Sequence, residues 1–161
     1  MNFSEKVVSK VKEKFPSSVL DVVEFRGETT IKVTPKDIVE VAAFLKTDGE
    51  LQFNLLVDLT GVDWATRKDR FSVVYHIFSI PNNFRLRIEV PLGAEENIDT
   101  VSKVWKTANW HERETYDMYG IKFNNHPDLR RMYMPEEFEY HPLRKDFPLM
   151  GIPGSLPLPK K

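Results

Sequence analysis

The chain contains no cysteine. That excludes disulfides, thiolate nucleophiles and the usual thiolate ligands of iron–sulfur clusters and structural zinc. Long apolar runs are missing too. Segments such as Leu55 to Val57 fall far short of the roughly 20 residues that a bilayer-spanning helix requires. Neither sign of charge dominates: 23 basic and 24 acidic side chains leave a net charge of −1, whereas a nucleic-acid binder concentrates a basic excess on one face. Gly120, Gly151 and Gly154 are isolated, so no glycine-rich phosphate loop is expected. Met1 to Lys6 place no apolar segment behind a basic start, which argues against a secretory signal. The expectation is a chain on the cytoplasmic side that reaches a membrane only through a partner.

What is present suits one domain with a sizeable core and some extra length: 161 residues, 41% hydrophobic and 29% charged. Val7, Val8, Val11 and Phe15 form one stripe of a helix predicted over Ser4 to Phe15. Val19 to Phe25 and Thr29 to Val33 are β-branched and read as strands joined by a turn at Arg26-Gly27-Glu28. Thr34-Pro35-Lys36-Asp37 is a helix start, and Ile38, Val41, Ala42 and Leu45 are the apolar face that follows. Three further strands are expected at Phe53 to Leu59, Phe71 to Ser79 and Phe84 to Val90, the last two joined by a Pro81-Asn82-Asn83 turn. Ile98, Val101, Val104 and Trp105 predict a third helix, and Trp110 to Tyr119 a fourth. The expected fold is α+β: a two-layer αββαβββ domain over residues 1–120, with helices on one face of a mostly antiparallel sheet. Trp105 and Trp110 are assigned to its core, and His76 to a half-buried strand position.

Residues 121–161 differ in composition and hold seven of the 11 prolines. Proline lacks the backbone donor and turns the preceding residue away from helix. This segment is therefore expected to be an extended tail. It has too little apolar surface to offset its own ordering entropy. Yet it carries Phe123, Tyr133, Phe138, Tyr140 and Phe147, and disordered tails are poor in aromatics. That pattern suits a segment laid along a partner's surface.

Charges, aromatics and prolines interleave in Glu112-Arg113-Glu114, Tyr116-Asp117-Met118-Tyr119-Gly120-Ile121 with Phe123, His126-Pro127-Asp128-Leu129-Arg130-Arg131, and His141-Pro142-Leu143-Arg144-Lys145-Asp146-Phe147-Pro148-Leu149. A metal hydrolase built on His111, Glu112, Glu114, His126 and His141 is one reading, but no histidine pair has the close helical spacing of a zinc site. Glu112 and Glu114 as acid and base is another, but two positions apart on a helix they face different sides. Plain solvated charge is a third. Forked arginine bonds and ion pairs at an interface, with aromatic anchors, fit the interleaving better.

These same runs resemble the thirty-kilodalton subunit family of respiratory complex I, to which the C subunits of bacterial NADH-quinone oxidoreductases belong. The resemblance implies a cofactor-free structural subunit of the peripheral arm. FMN and the Fe–S clusters would be carried by partner subunits. It implies contact with the forty-nine-kilodalton-type subunit (the D subunit in bacteria) and the Fe–S subunits beside it, on the cytoplasmic side of the cell inner membrane. The tail would lie along the forty-nine-kilodalton-type subunit. The residues expected to meet partners are Glu112, Arg113, Glu114, Tyr116, Asp117, Tyr119, Phe123, His126, Asp128, Arg130, Arg131, His141, Arg144, Lys145, Asp146 and Phe147. Members often have glycine before each His-Pro, where this chain has Asn125 and Tyr140. The equivalent subunit of a membrane-bound hydrogenase, or a free-standing adaptor, are the alternatives.

Overall fold

Helix α1 (Phe3–Lys14) starts from a reciprocal capping box: the Asn2 side chain accepts from the Glu5 N–H, and the Glu5 carboxylate accepts from the Asn2 N–H. Its stripe buries Val7 and Val11. The computed structural model describes residues 2–154. After α1 it runs through β1 (Val19–Phe25) and β2 (Glu28–Val33), then a short 3₁₀ turn at Pro35–Asp37 that leads into α2 (Ile38–Thr47). Next come β3 (Leu55–Asp63), β4 (Phe71–Ser79) and β5 (Phe84–Leu92). The chain closes with β6 (Ile98–Asp99), α3 (Ala108–Tyr119) and β7 (Phe123–Asn124).

Five strands form one sheet in the order β1-β2-β5-β4-β3, antiparallel at every junction except the parallel β2–β5 pair. The period-two pattern decides which face is covered. Ile31, Val73, Tyr75, Ile77, Ile88 and Val90 are buried on one side. On the other, register pairs Lys32 with Glu89 and His76 with Arg87. His76 is half-buried there, as its strand alternation predicts. The helices pack on the apolar face and join one core cluster. Gly61 permits a close approach of helix to sheet: a Cβ at that position would lie 2.7 Å from the Tyr119 ring. The missing side chain lets α3 rest on β3.

The third predicted helix is not formed. Ile98–Asp99 is instead a two-residue strand parallel to Phe123–Asn124, and residues 101–107 make turns. The apolar spacing of Val101 and Trp105 reflects burial of a single turn, closed by the Trp105 N–H on the Val101 carbonyl at 2.9 Å. The Trp105 indole donates to the Phe53 carbonyl at 3.0 Å. Trp105 is in the core as expected, whereas Trp110 is 61% exposed on the outer side of α3.

Ile121 and Phe123 belong to the same core cluster as the sheet, so core packing continues past residue 120. Beyond it the chain is extended and turn-rich, as its prolines dictate, but it does not stand away from the body. Phe138 is 3% exposed, and its ring meets those of Tyr140 and Phe147 at 5.5 and 6.3 Å. Residues 155–161 of the expected tail lie outside the described residues.

Candidate functional site: two buried carboxylates clasp the C-terminal segment

Asp117 sits in the last turns of α3 and is fully buried. One oxygen, Oδ2, accepts three successive backbone N–H groups, from Met132, Tyr133 and Met134, at 3.0, 2.7 and 3.0 Å. The other, Oδ1, accepts from Arg131 Nη1 at 2.7 Å. Consecutive N–H groups turned toward one anion form a nest; here the tail supplies the nest and the body supplies the anion. Burial by itself would raise the Asp117 pKa. The three N–H bonds and the Arg131 bond outweigh it and hold the carboxyl below the usual range.

Asp63, at the end of β3, is the second clasp. It accepts the Lys145 N–H at 2.8 Å, across 82 residues of sequence, and the Ala65 N–H at 2.8 Å. Arg70 binds it through Nε at 3.1 Å and Nη2 at 2.9 Å, and Nη2 also reaches Asp146 at 2.9 Å. Burial again opposes ionisation, but Arg70 and the two N–H donors win and place the pKa at about 2.

Between the clasps, α3 offers its last carbonyls, which have no partner inside the helix. His141 Nδ1 lies 3.0 Å from the Asp117 carbonyl, the Leu143 N–H donates to the Met118 carbonyl at 3.1 Å, and Arg144 Nε donates to the Tyr119 carbonyl at 2.6 Å. Arg113 donates to the carbonyls of Arg130 and Arg131 at 3.2 and 3.3 Å. Gly120 ends the helix in the left-handed region at φ 77°. A Cβ there would lie 2.5 Å from Arg144 Nη2 and 2.7 Å from the His141 ring. Gly120→Ala should therefore destabilise the fold by about 2 kcal/mol, combining left-handed strain with displacement of Arg144. Urea unfolding checks this, and an unchanged midpoint would mean the His141–Arg144 turn yields freely.

The ion pairs that the interleaved charges predicted as intermolecular are, for Asp117 with Arg131 and for Asp146 with Arg70, made within the chain. Glu112 likewise faces inward. It is fully buried, and it accepts from the Val101 N–H at 2.8 Å and shares a hydrogen bond with Thr100 Oγ1. Phe123 is in the core, and Tyr119 packs on Gly61. Tyr116 meets the His141 ring edge-on at 6.1 Å. His126 Nε2 lies 3.1 Å from the Asn109 carbonyl. Asp128, Arg130, Lys145 and Asp146 are exposed, and Glu114 and Phe147 are half-buried.

Sequence reasoning passed over Asp63, Arg70 and Thr100. Asp63 had a usable signal: it shares the inward phase of Leu59 and Gly61, and an acid in that phase must find partners. The histidines do not converge: His111 faces Asp58 at 3.5 Å, and His126 and His141 each take a backbone carbonyl. Among the described residues no group of three or more His, Asp or Glu side chains could hold a metal. No described helix is long and apolar enough to cross a membrane.

The fold and clasp belong to a chain with clear relatives. It is 55% identical over 149 residues to the C subunit of the NADH-quinone oxidoreductase of Geotalea uraniireducens, covering 92% of this chain and 90% of that one. The protein of the same name from Geobacter metallireducens is 52% identical over 158 residues, covering 96% and 94%. That of a Roseiflexus species is 46% identical over 146 residues, covering 89% and 83%. The family profile described as "Respiratory-chain NADH dehydrogenase, 30 Kd subunit" matches residues 31–153, a span that takes in both clasps and the whole sheet except β1 and the start of β2. This chain therefore belongs to the 30 Kd subunit family of the respiratory-chain NADH dehydrogenase.

Proposed function

We propose that this chain is the thirty-kilodalton-type subunit of an NADH-quinone oxidoreductase and acts in it as a scaffold, without chemistry of its own. The observation that carries the reading is the use made of the family's charged runs. Asp117, Arg131, Arg144 and Asp146 are engaged in holding the chain's own C-terminal segment in one shape. The clasped segment then turns Tyr133, Tyr140 and Leu143 outward, at 60%, 40% and 51% exposure. Asp128, Arg130 and Lys145 are exposed in the same stretch of chain, so it carries exposed aromatics interleaved with charges, the composition of a protein interface. The proposed partners are the forty-nine-kilodalton-type subunit and the Fe–S subunits beside it. FMN and Fe–S clusters reside in partner subunits, and the assembly faces the cytoplasm at the cell inner membrane.

The test is a native gel of membranes extracted with mild detergent, probed for this chain and for NADH-driven quinone reduction. The chain should co-migrate with the oxidoreductase. Arg144→Ala should lower the amount of assembled complex and leave turnover per assembled particle unchanged. Full assembly with lost turnover would sink the scaffold reading.

A further inference from the structure

Trp110 is a large aromatic left in solvent, and what surrounds it is charged. We infer that the face of α3 around Trp110 is a second docking surface, built to receive a carboxylate-rich stretch of a neighbouring protein subunit. This rests on the subunit reading above and extends it to a surface centred on α3, which adjoins the clasped tail at Asp128 and Arg130.

Lys103, Lys106, Asn109, Trp110 and Arg113 line a depression of about 600 Å³ between α3 and the turns that precede it, closed on the far side by Asp128 and Arg130. Asp128 and Arg130 neutralise each other at 2.9 Å. Among the described residues, Lys103, Lys106 and Arg113 form no ion pair, and the three lie together around one hollow. The depression thus presents three uncompensated cations and no free carboxylate.

Arg113 is also fixed in place. Nε and Nη2 are held by the carbonyls of Arg130 and Arg131, Nη1 has no partner among the described residues, and the guanidinium lies 5.0 Å from the Trp110 ring centroid. Carbonyls orient a guanidinium without cancelling its charge. A cation and an aromatic face are therefore held ready, which lowers the ordering cost of binding. A carboxylate can take Nη1, the two lysines can take further acids, and an apolar side chain between them can cover the indole. Nucleic acid and an anionic membrane are less well matched. The chain's net charge is −1, and both of those partners draw on a broad basic excess rather than three cations in a hollow.

The experiment places p-benzoylphenylalanine at position 110 of the full chain in cells that assemble the complex. Co-migration on a native gel is read first, and it tests the subunit reading alone. Irradiation of the co-migrating complex should then yield a cross-link to another subunit, in a segment where Asp and Glu outnumber Lys and Arg. The double variant K103E/K106E in the same background should lower the cross-link yield about tenfold through like-charge repulsion. Cross-links to lipid, to nucleic acid or to this chain itself would overturn the proposal. So would a partner segment without acidic excess, or a yield indifferent to the double variant. If the chain does not co-migrate, the same protein is purified and irradiated with a synthetic Glu-Glu-Leu-Glu-Glu peptide. Labelling abolished by the double variant then supports the surface, and no labelling removes it.

Discussion

Asp117→Ala should release the chain from residue 131 onward while leaving the five-stranded sheet folded. Among the described residues the carboxylate is the sole side-chain acceptor for the Met132, Tyr133 and Met134 N–H groups, and it pairs Arg131. Its loss strands three backbone donors and Nη1 of Arg131, whose side chain is 10% exposed and whose Nη2 keeps only the Tyr140 carbonyl at 3.1 Å. Hydrogen bonds to a charged group contribute about 1.5–3 kcal/mol each, and removing one member of a buried pair costs about 3–5 kcal/mol. The segment can recover hydration only by lifting off, so the expected loss is that of its docking, about 3–5 kcal/mol. Hydrogen exchange reads it directly: protection at residues 132–134 should vanish while β4 amides stay protected. Trypsin should then cut after Arg130, Arg131 and Arg144. Asp117→Asn keeps one acceptor oxygen but brings N–H₂ against N–H donors, and should fall between wild type and alanine. Unchanged protection at residues 132–134 in the alanine variant would mean that the aromatic cluster around Phe138, not the carboxylate, fastens the tail.

Glu112→Gln should remove a fall in stability that wild type shows between about pH 4.5 and 7. Burial raises the Glu112 pKa from 4.5 to about 7, against lowering by Thr100 and the Val101 N–H. Hydrogen-bond counting agrees. Thr100 Oγ1 accepts from the Ser102 N–H and has one proton to give, yet faces both Ser102 Oγ and Glu112. A protonated Glu112 donates to Thr100, and Thr100 then donates to Ser102, so all are satisfied. The sign follows from proton counts. Below 4.5 both states are protonated and the contribution is complete. As pH rises through the window the unfolded chain releases its proton and the folded chain keeps it, so stability falls, levelling above 7. The span corresponds to about 3 kcal/mol.

Glutamine copies the protonated acid. The variant should match wild type near pH 4.5 and exceed it near pH 8, by up to about 3 kcal/mol in chemical unfolding. The other groups facing Glu112 are His126, whose Nε2 lies 3.7 Å away, and Tyr75, whose buried hydroxyl has no hydrogen-bond partner among the described residues. Burial lowers the His126 pKa, which gives the opposite slope, lost as pH falls. The wild-type-minus-variant difference therefore isolates Glu112 together with its coupling to His126. A flat difference would show the carboxylate ionised throughout.

Trp110 and Trp105 separate what pattern can and cannot tell. Both carry the same sequence weight as large aromatics near an apolar stripe. Trp105 finds the Phe53 carbonyl and an inward position, whereas Trp110 falls on the solvent side of α3 because Ala108, Glu112 and Thr115 take the inward one. An acidic residue on the buried stripe misplaces the helix face for any reading that sorts residues by polarity alone.

The strands of the sheet, α1 and α2 were legible because their periodicities are local properties: alternation puts every second residue on one face, and the 3.6-residue repeat gathers Val7 and Val11, or Val41 and Leu45, on one stripe. The paired charged runs and the proline-rich composition likewise marked the family and an extended C-terminal segment without any coordinates. Where the charges would find partners was not a local property. Asp63 meets Lys145 across 82 residues, and Asp117 meets three N–H groups of a segment with no periodicity of its own. A buried carboxylate takes whichever donors the folded backbone brings within about 3 Å. The choice between clasping the chain's own tail and reaching for a neighbour was therefore made by tertiary packing, once α3 lay on Gly61 and carried Asp117 to the turn at residues 131–134.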